Sequence, residues 1–383
     1  MDLGSQQVVI LGAGIAGLSA ASSLLQRGIR RITVVDEQPA VFTRASGMNA
    51  AIFRPLETDP VLAQLAAQSL VILERLQASS SLPLLRKTGL LMLSSEERVL
   101  SLMNEQAQST GIHHERLTAR AAEQQLPGLH LEPDTGALWS VDGGVLDPHE
   151  LGQVLARQAL GAGVQFFLGQ KVTRLLLGGQ GHCVGVELLD GKRLEADAVV
   201  LCTGSATGRL SFDIDAPLPL LPLQRHLAIL EPERAFDPRA PVVWQLGREL
   251  YFRPESGGVL VSPCDETPQT GMPQAQLSAL CDLADRFSHL YPDLARARVR
   301  SFWACVRTKA PDTRPVIGEA PTVSGLFYLA ALAGFGMSCG LGCGEILADC
   351  IIHDRQFPDV SPARLYLPLS TFASSSNMRS AGV

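Results

Sequence analysis

The sequence predicts a two-domain α/β protein: a domain of the doubly wound kind, interrupted twice by segments of a second, α+β domain on a mainly antiparallel sheet. Three observations predict it. A strand–helix–strand pattern fills the first 36 residues. The same periodicity returns near residue 145 and again near 310, as if one domain were being resumed. Between these returns lie a polar, helix-rich stretch and a long run of strands. At 383 residues the chain is long enough for two cores.

Taken in order, residues 7–11 are a short apolar run, 15–27 place Ile15, Leu18 and Leu25 on one helical stripe, and 32–35 form a second strand. Residues 56–76 are helical in pattern. Residues 83–93 read as strand entering a different region, followed by a Glu/Gln-rich helical stretch over 94–125. After a turn-rich segment over 133–147, residues 149–160 form an amphipathic helix, and 164–167 and 172–177 are strands separated by Gly169. Runs 183–189 and 193–200 flank Asp190-Gly191, a two-residue hairpin signal because both turn residues tolerate positive φ. From 218 to 302 the pattern is mostly strand, including 226–230, 249–252 and 259–262, with one helix over 274–290. Residues 326–329 read as a buried strand and 343–352 as a helix. Pro358, Pro362, Pro368 and the Ser-rich end predict a loose tail. The expected partition is 1–80, 145–210 and 310–355 in the first domain, 81–144 and 211–309 in the second, and 356–383 as tail.

Composition narrows the function classes. With 46% hydrophobic and 18% charged residues the chain is a soluble globular protein rather than a disordered or fibrous one. A net charge of −6 supplies no basic field for a phosphate backbone, so no nucleic-acid partner is expected. The eight cysteines contain no C-x-x-C pair, so neither a metal site nor a disulfide framework is expected. Free thiols and the lack of a charged segment before residues 8–11 predict a cytoplasmic protein. No run of about 18 apolar residues predicts a transmembrane segment.

Gly12-Ala13-Gly14-Ile15-Ala16-Gly17 fits G-x-G-x-x-G. Its glycines permit a tight turn, close approach to a pyrophosphate and close helix–strand packing, and the helix N-terminus then faces the phosphates. The context is the one the motif requires: a strand before, a helix after, and Asp36 closing the next strand, placed to accept from an adenosine ribose. The unit is Rossmann-like, and both NAD and FAD suit it. Almost at once follows Thr43-Arg44-Ala45-Ser46-Gly47-Met48-Asn49-Ala50-Ala51, whose small residues and single Arg suit a backbone wrapping a ligand.

At this point the sequence resembles the D-amino-acid oxidase (DAO) family of FAD-dependent oxidoreductases, in the branch of glycine oxidase, sarcosine oxidase and D-arginine dehydrogenase. The likeness extends through Gly144-Val145-Leu146-Asp147-Pro148, Val199-Val200-Leu201-Cys202-Thr203-Gly204, Pro311-Asp312-Thr313-Arg314-Pro315-Val316-Ile317-Gly318 and Gly334-Phe335-Gly336-Met337-Ser338. The resemblance implies a GR2-type FAD-binding domain. Gly12, Ala13, Gly14, Ile15, Ala16, Gly17, Asp36 and Glu37 would hold the ADP half. Arg44, Ala45, Ser46, Met48, Asn49, Ala50 and Ala51 would line the phosphates and flavin. Val172, Thr203 and Gly204 would also meet the cofactor, and Gly334, Phe335, Gly336, Met337 and Ser338 would lie at the flavin's pyrimidine edge.

In amino-acid-oxidising relatives an Arg matching Arg307 pairs with the substrate carboxylate, a task suited to the guanidinium fork. Arg225 and Tyr251 match substrate-contacting residues of D-arginine dehydrogenase. Ile52 and Phe53, however, stand where that enzyme has His and Tyr, which argues against D-arginine itself. Cys305 falls where sarcosine oxidase links its flavin covalently. The implied activity is oxidation of an amino acid's C–N bond, whether D-amino acid, glycine or N-alkyl amino acid, by hydride transfer to flavin N5, giving an imino or 2-oxo acid. The alternatives are a 2-hydroxy-acid, opine or proline dehydrogenase, or an FAD-bearing subunit of a larger complex. The partners implied are a small amino-acid-like substrate and an electron acceptor or partner subunit.

Overall fold

The computed structural model describes residues 3–366 except 213, 215 and 270; Pro368 and the Ser-rich end lie outside the described residues. Its first sheet has six strands. Gln7–Leu11 pairs in parallel with Arg31–Asp36 on one side and Ala198–Leu201 on the other. Gln165–Leu168 extends the first side and Leu326–Ala330 the second, and Val316–Glu319 closes that edge antiparallel. Central strands such as Ala198–Leu201 are buried at every position, as parallel strands covered on both faces require.

Helices Ile15–Gln26, Pro60–Gln77, Pro148–Gly161 and Gly336–His353 pack around this sheet. Two of them start on a capping aspartate followed by proline. Asp59 accepts from the N–H groups of Val61 and Leu62, and Asp147 from that of Glu150.

The second sheet is largely antiparallel. In spatial order it runs Thr267–Pro268, Leu221–Glu231, Gly258–Ser262, Leu250–Glu255, Val242–Gln245, Leu90–Ser94, Gly136–Ser140 and His114–Leu117. The twelve-residue strand Arg298–Lys309 pairs along the whole of Leu221–Glu231. One face of this sheet packs on Ser278–Leu290 through Phe252 and Phe287. The other faces the cavity described below.

Five local expectations are corrected. The described part of the expected loose tail is packed: Val360 is buried and its carbonyl accepts from the Ile317 N–H, and Arg364 pairs with Asp312. The helical stretch expected over 94–125 is split into Glu97–Thr110 and Ala119–Gln125 by the strand His114–Leu117, because Gly111 adopts the left-handed conformation and stops the first helix. The turn-rich 133–147 contains the strands Gly136–Ser140 and Gly144–Leu146. The hairpin arm after Asp190-Gly191 ends at Glu195, and the chain then changes sheets at Asp197, whose carboxylate accepts from the Gln7 N–H at 2.7 Å. The last helix begins at Gly336, not 343, so its glycines belong to a helix crossing: a Cβ at Gly344 would lie 2.6 Å from the Ser19 carbonyl oxygen.

Candidate active site

The carboxyl ends of the parallel strands open into one cavity of about 790 Å³ that continues to the face of the second sheet. At its nucleotide end the glycine turn is packed backbone on backbone. A Cβ at Gly12 would strike the Cys202 carbonyl, and one at Gly17 would strike the carbonyl of Gly12. Asp36 holds this turn in place. Its Oδ2 accepts from the Ala13 N–H and its Oδ1 from the Gln38 N–H, at 2.7 and 2.8 Å. Ala13 and Gly17 therefore sit behind the lining, while Gly12, Gly14, Ile15, Ala16, Asp36 and Glu37 face the cavity.

Gly14 caps the helix Ile15–Gln26 without a side-chain hydrogen bond, and the Ile15 N–H donates to Ser46 Oγ at 2.9 Å. Ser46 belongs to the wrapping segment, whose Arg44, Ala45, Met48, Asn49, Ala50 and Ala51 also line the cavity. Val172, Thr203, Gly204, Cys305 and the run Gly334 to Ser338 complete the set expected from sequence. Seven non-glycine residues with left-handed backbones border this space: Phe42, Ala51, Glu249, Cys264, Thr313, Ala331 and Ala333. Such conformations cost about 1 kcal/mol or more each and persist where the surroundings over-determine them.

At the other end, register places Arg225 opposite Cys305 and Leu223 opposite Arg307, so both arginines project from one face of the paired strands. Arg307 donates to the Tyr251 hydroxyl at 3.4 Å and, among the described residues, has no acid partner. Burial, with Arg225 close by, pushes the Arg307 pKa below its ordinary value, so an anion placed here would relieve an uncompensated charge. Tyr251 is fully buried, and burial raises its hydroxyl against the pull of Arg307 and Arg225. Arg225 donates to Glu266 at 2.8 Å, and Glu266 also takes Lys309 at 2.5 Å; Arg225 Nε is buried without a partner among the described residues. Burial raises the Cys305 thiol, which works against the thiolate that a covalent flavin link needs.

Several site residues carried no sequence signal. Arg54 lines the cavity with its guanidinium 4.3 Å over the Trp244 ring and 5.1 Å from that of Phe335, and donates through Nε and Nη2 to Glu57 at 2.9 Å each. Its own N–H donates to Ser338 Oγ at 2.9 Å. Trp244, Cys264, Glu266 and Lys309 reach the cavity from strands or loops without a motif. Lys309 could have been found, since it follows Cys305 and Arg307 on the same face of one strand.

The family model described as DAO, FAD dependent oxidoreductase, matches residues 7–350. The chain belongs to the DAO family of FAD-dependent oxidoreductases. Among similar proteins, glycine oxidase of Geobacillus kaustophilus is 25% identical over 94% of this chain and 96% of its own length. The mitochondrial pyruvate dehydrogenase phosphatase regulatory subunit of Mus musculus is also 25% identical, over 91% of this chain, but this chain spans only 41% of its length. Among solved structures, L-proline dehydrogenase of P. horikoshii shares the fold with a TM-score of 0.86 at 19% identity, covering 94% of this chain and 98% of the other. The DAO cofactor fits what is here: Gly12, Gly14, Ile15 and Ala16 bring a helix N-terminus, whose N-cap glycine has no side chain in the way, to the wall of the cleft.

Proposed function

We propose that the chain oxidises the C–N bond of an amino-acid-like substrate whose carboxylate is held by Arg307. The observation that carries this is the cavity-lining Arg307 guanidinium, desolvated and without an acid partner among the described residues. Glycine oxidase and D-amino acid dehydrogenase among the relatives support the same substrate class.

FAD, held by the residues around Gly12, Asp36 and Ser46 and by the run from Gly334, supplies the hydride acceptor. The protein's own contribution is positioning. Arg307 takes two carboxylate oxygens in its fork. Tyr251, its oxygen occupied by the Arg307 N–H, has a proton to give to the same carboxylate. Substrate reacts with its amine uncharged, so no side-chain base is required, and the imine hydrolyses in water to the 2-oxo acid.

The test is anaerobic mixing of the FAD-loaded protein with D-amino acids, N-methyl amino acids and 2-hydroxy acids while the flavin absorbance is followed. Bleaching by an amine-bearing carboxylate is expected, and Arg307→Ala should lower kcat/KM for it by roughly 100-fold, the worth of a charged, desolvated hydrogen-bond pair. Bleaching by hydroxy acids alone would refute the C–N reading. A second reading, an FAD-bearing subunit, is favoured by the regulatory role named for the mouse relative. Flavin that stays oxidised with every substrate, in a protein that co-purifies with a partner, would select it.

A further inference from the structure

The cavity wall continues beyond Arg307 as an unbroken series of contacts. Arg307 bonds the Tyr251 hydroxyl, the Tyr251 ring lies 4.4 Å from that of Trp244, and Trp244 carries the Arg54 guanidinium on its ring. Two guanidinium groups thus stand at the ends of an aromatic strip, and Cys264 lies close enough to feel both, together with Arg225.

We propose that the substrate carries a second carboxylate at the end of its side chain, seated on Arg54 while the first sits on Arg307. The preferred substrates are then acidic amino acids or N-carboxyalkyl amino acids. The inference rests on the reading of Arg307 as the carboxylate site.

Four observations carry it. Arg54 uses only Nε and Nη2 on Glu57; Nη1 makes no hydrogen bond among the described residues and is not enclosed by protein. Glu57 is a compromised counter-ion, since burial pushes its carboxyl up to about 7 against the pull of Arg54. A buried ion pair of this kind is a poor way to fill space, because an apolar pair of similar volume packs as well without the desolvation cost.

The remaining charges point the same way. Arg225 and Lys309 share the carboxylate of Glu266, Asp265 also lies close to Arg225, and Arg307 has no acid partner among the described residues, so three cations here face two acids. The substrate's first carboxylate balances that excess and leaves the second to Arg54. Glu249, another acid on the cavity, is exposed and screened by water. Finally, the half-buried Trp244 ring lines the cavity next to Arg54 and gives a methylene spacer an apolar edge to lie against. A substrate with a cationic side chain would meet Arg54 head-on and be rejected.

The experiment compares glutamate, 2-aminoadipate and glutamine, in both configurations, as reductants of the FAD-loaded protein. In parallel, unreactive glutarate and butyrate are titrated against the flavin absorbance. An acid-to-amide ratio in kcat/KM of roughly 10- to 100-fold is expected, with glutarate bound at least tenfold tighter than butyrate. The paired substitution Arg54→Gln with Glu57→Gln, which leaves the net charge of the pair at zero, should collapse both preferences, with FAD content reporting the fold. Glutamine equal to glutamate, or an acid preference untouched by the pair, would overturn the inference while leaving the amino-acid reading intact. Should no amine-bearing carboxylate reduce the flavin, that reading falls, and equal glutarate and butyrate affinities would remove this one as well. If the paired variant loses its FAD, the parent's glutarate and butyrate affinities still decide.

Discussion

At Gly334 the backbone itself shapes the pocket. Its φ is +98°, and a Cβ there would stand 2.6 Å from Arg307 Nη1 and 2.8 Å from Cζ. Gly334→Ala is therefore strained twice, by conformation and by collision with the guanidinium. It should lower kcat/KM for a carboxylate-bearing substrate by roughly tenfold or more, in proportion to the charged hydrogen bond displaced, as steady-state kinetics would read. Glu57 yields a prediction with a definite sign. Its carboxyl rises from 4.5 to about 7 on folding, burial outweighing Arg54, while Asp59 adds to the rise. The folded state thus keeps a proton that the unfolded state gives up, and stability falls as pH rises from about 4.5 to about 7. Glu57→Gln cannot titrate, so the Tm of the variant relative to the parent should shift upward between pH 5 and pH 8, measured by thermal melts. Arg307, Arg225 and Tyr251 were singled out in the sequence by resemblance to amino-acid-oxidising relatives, and all three line the cavity. Arg54 was not, because what gives it meaning, Trp244 and Phe335, comes from distant parts of the chain.

Among elements, the helix Gly336–His353 shows how glycine can mean packing rather than a break. Gly340 and Gly344 let it approach Ile15 and Ser19 of the helix Ile15–Gln26, closer than any side chain allows. Gly344→Val should destabilise by about 2–4 kcal/mol through overpacking, seen as a loss of denaturation midpoint at unchanged slope. Gly161 gives the contrast, since a Cβ there meets nothing within 4 Å at the end of Pro148–Gly161. Gly161→Ala should be neutral or stabilising by up to about 1 kcal/mol. The same contrast explains what periodicity revealed. Buried strands such as Gln7–Leu11 and Leu326–Ala330 announce themselves as apolar runs. His114–Leu117 does not, because its residues are half-buried or exposed without alternation, and a strand of that kind has no pattern of its own. The helix expected over 343–352 begins two turns earlier, at Gly336, since sequence shows a glycine but not the neighbour it admits.

For the whole molecule, the cofactor cavity is walled by segments from nearly the full length of the described chain, from Leu11 to Ser338. FAD binds only this assembled form, so it should stabilise by mass action, about 2.7 kcal/mol at a hundredfold excess over Kd. Melting the protein with and without added FAD checks this, and a Tm indifferent to FAD would contradict the assignment of the cleft. The same geography orders events in time. The strand Gln7–Leu11 is finished first, yet its neighbour Ala198–Leu201 follows much later, and that strand's outer partner Leu326–Ala330 later still. During synthesis the central sheet therefore waits with an open edge, and the last wall of the cleft, Gly334 to Ser338, is made after every other wall. Cofactor capture consequently waits for the last of these segments, and a chain stalled before Leu326 is one that has no place to put its flavin.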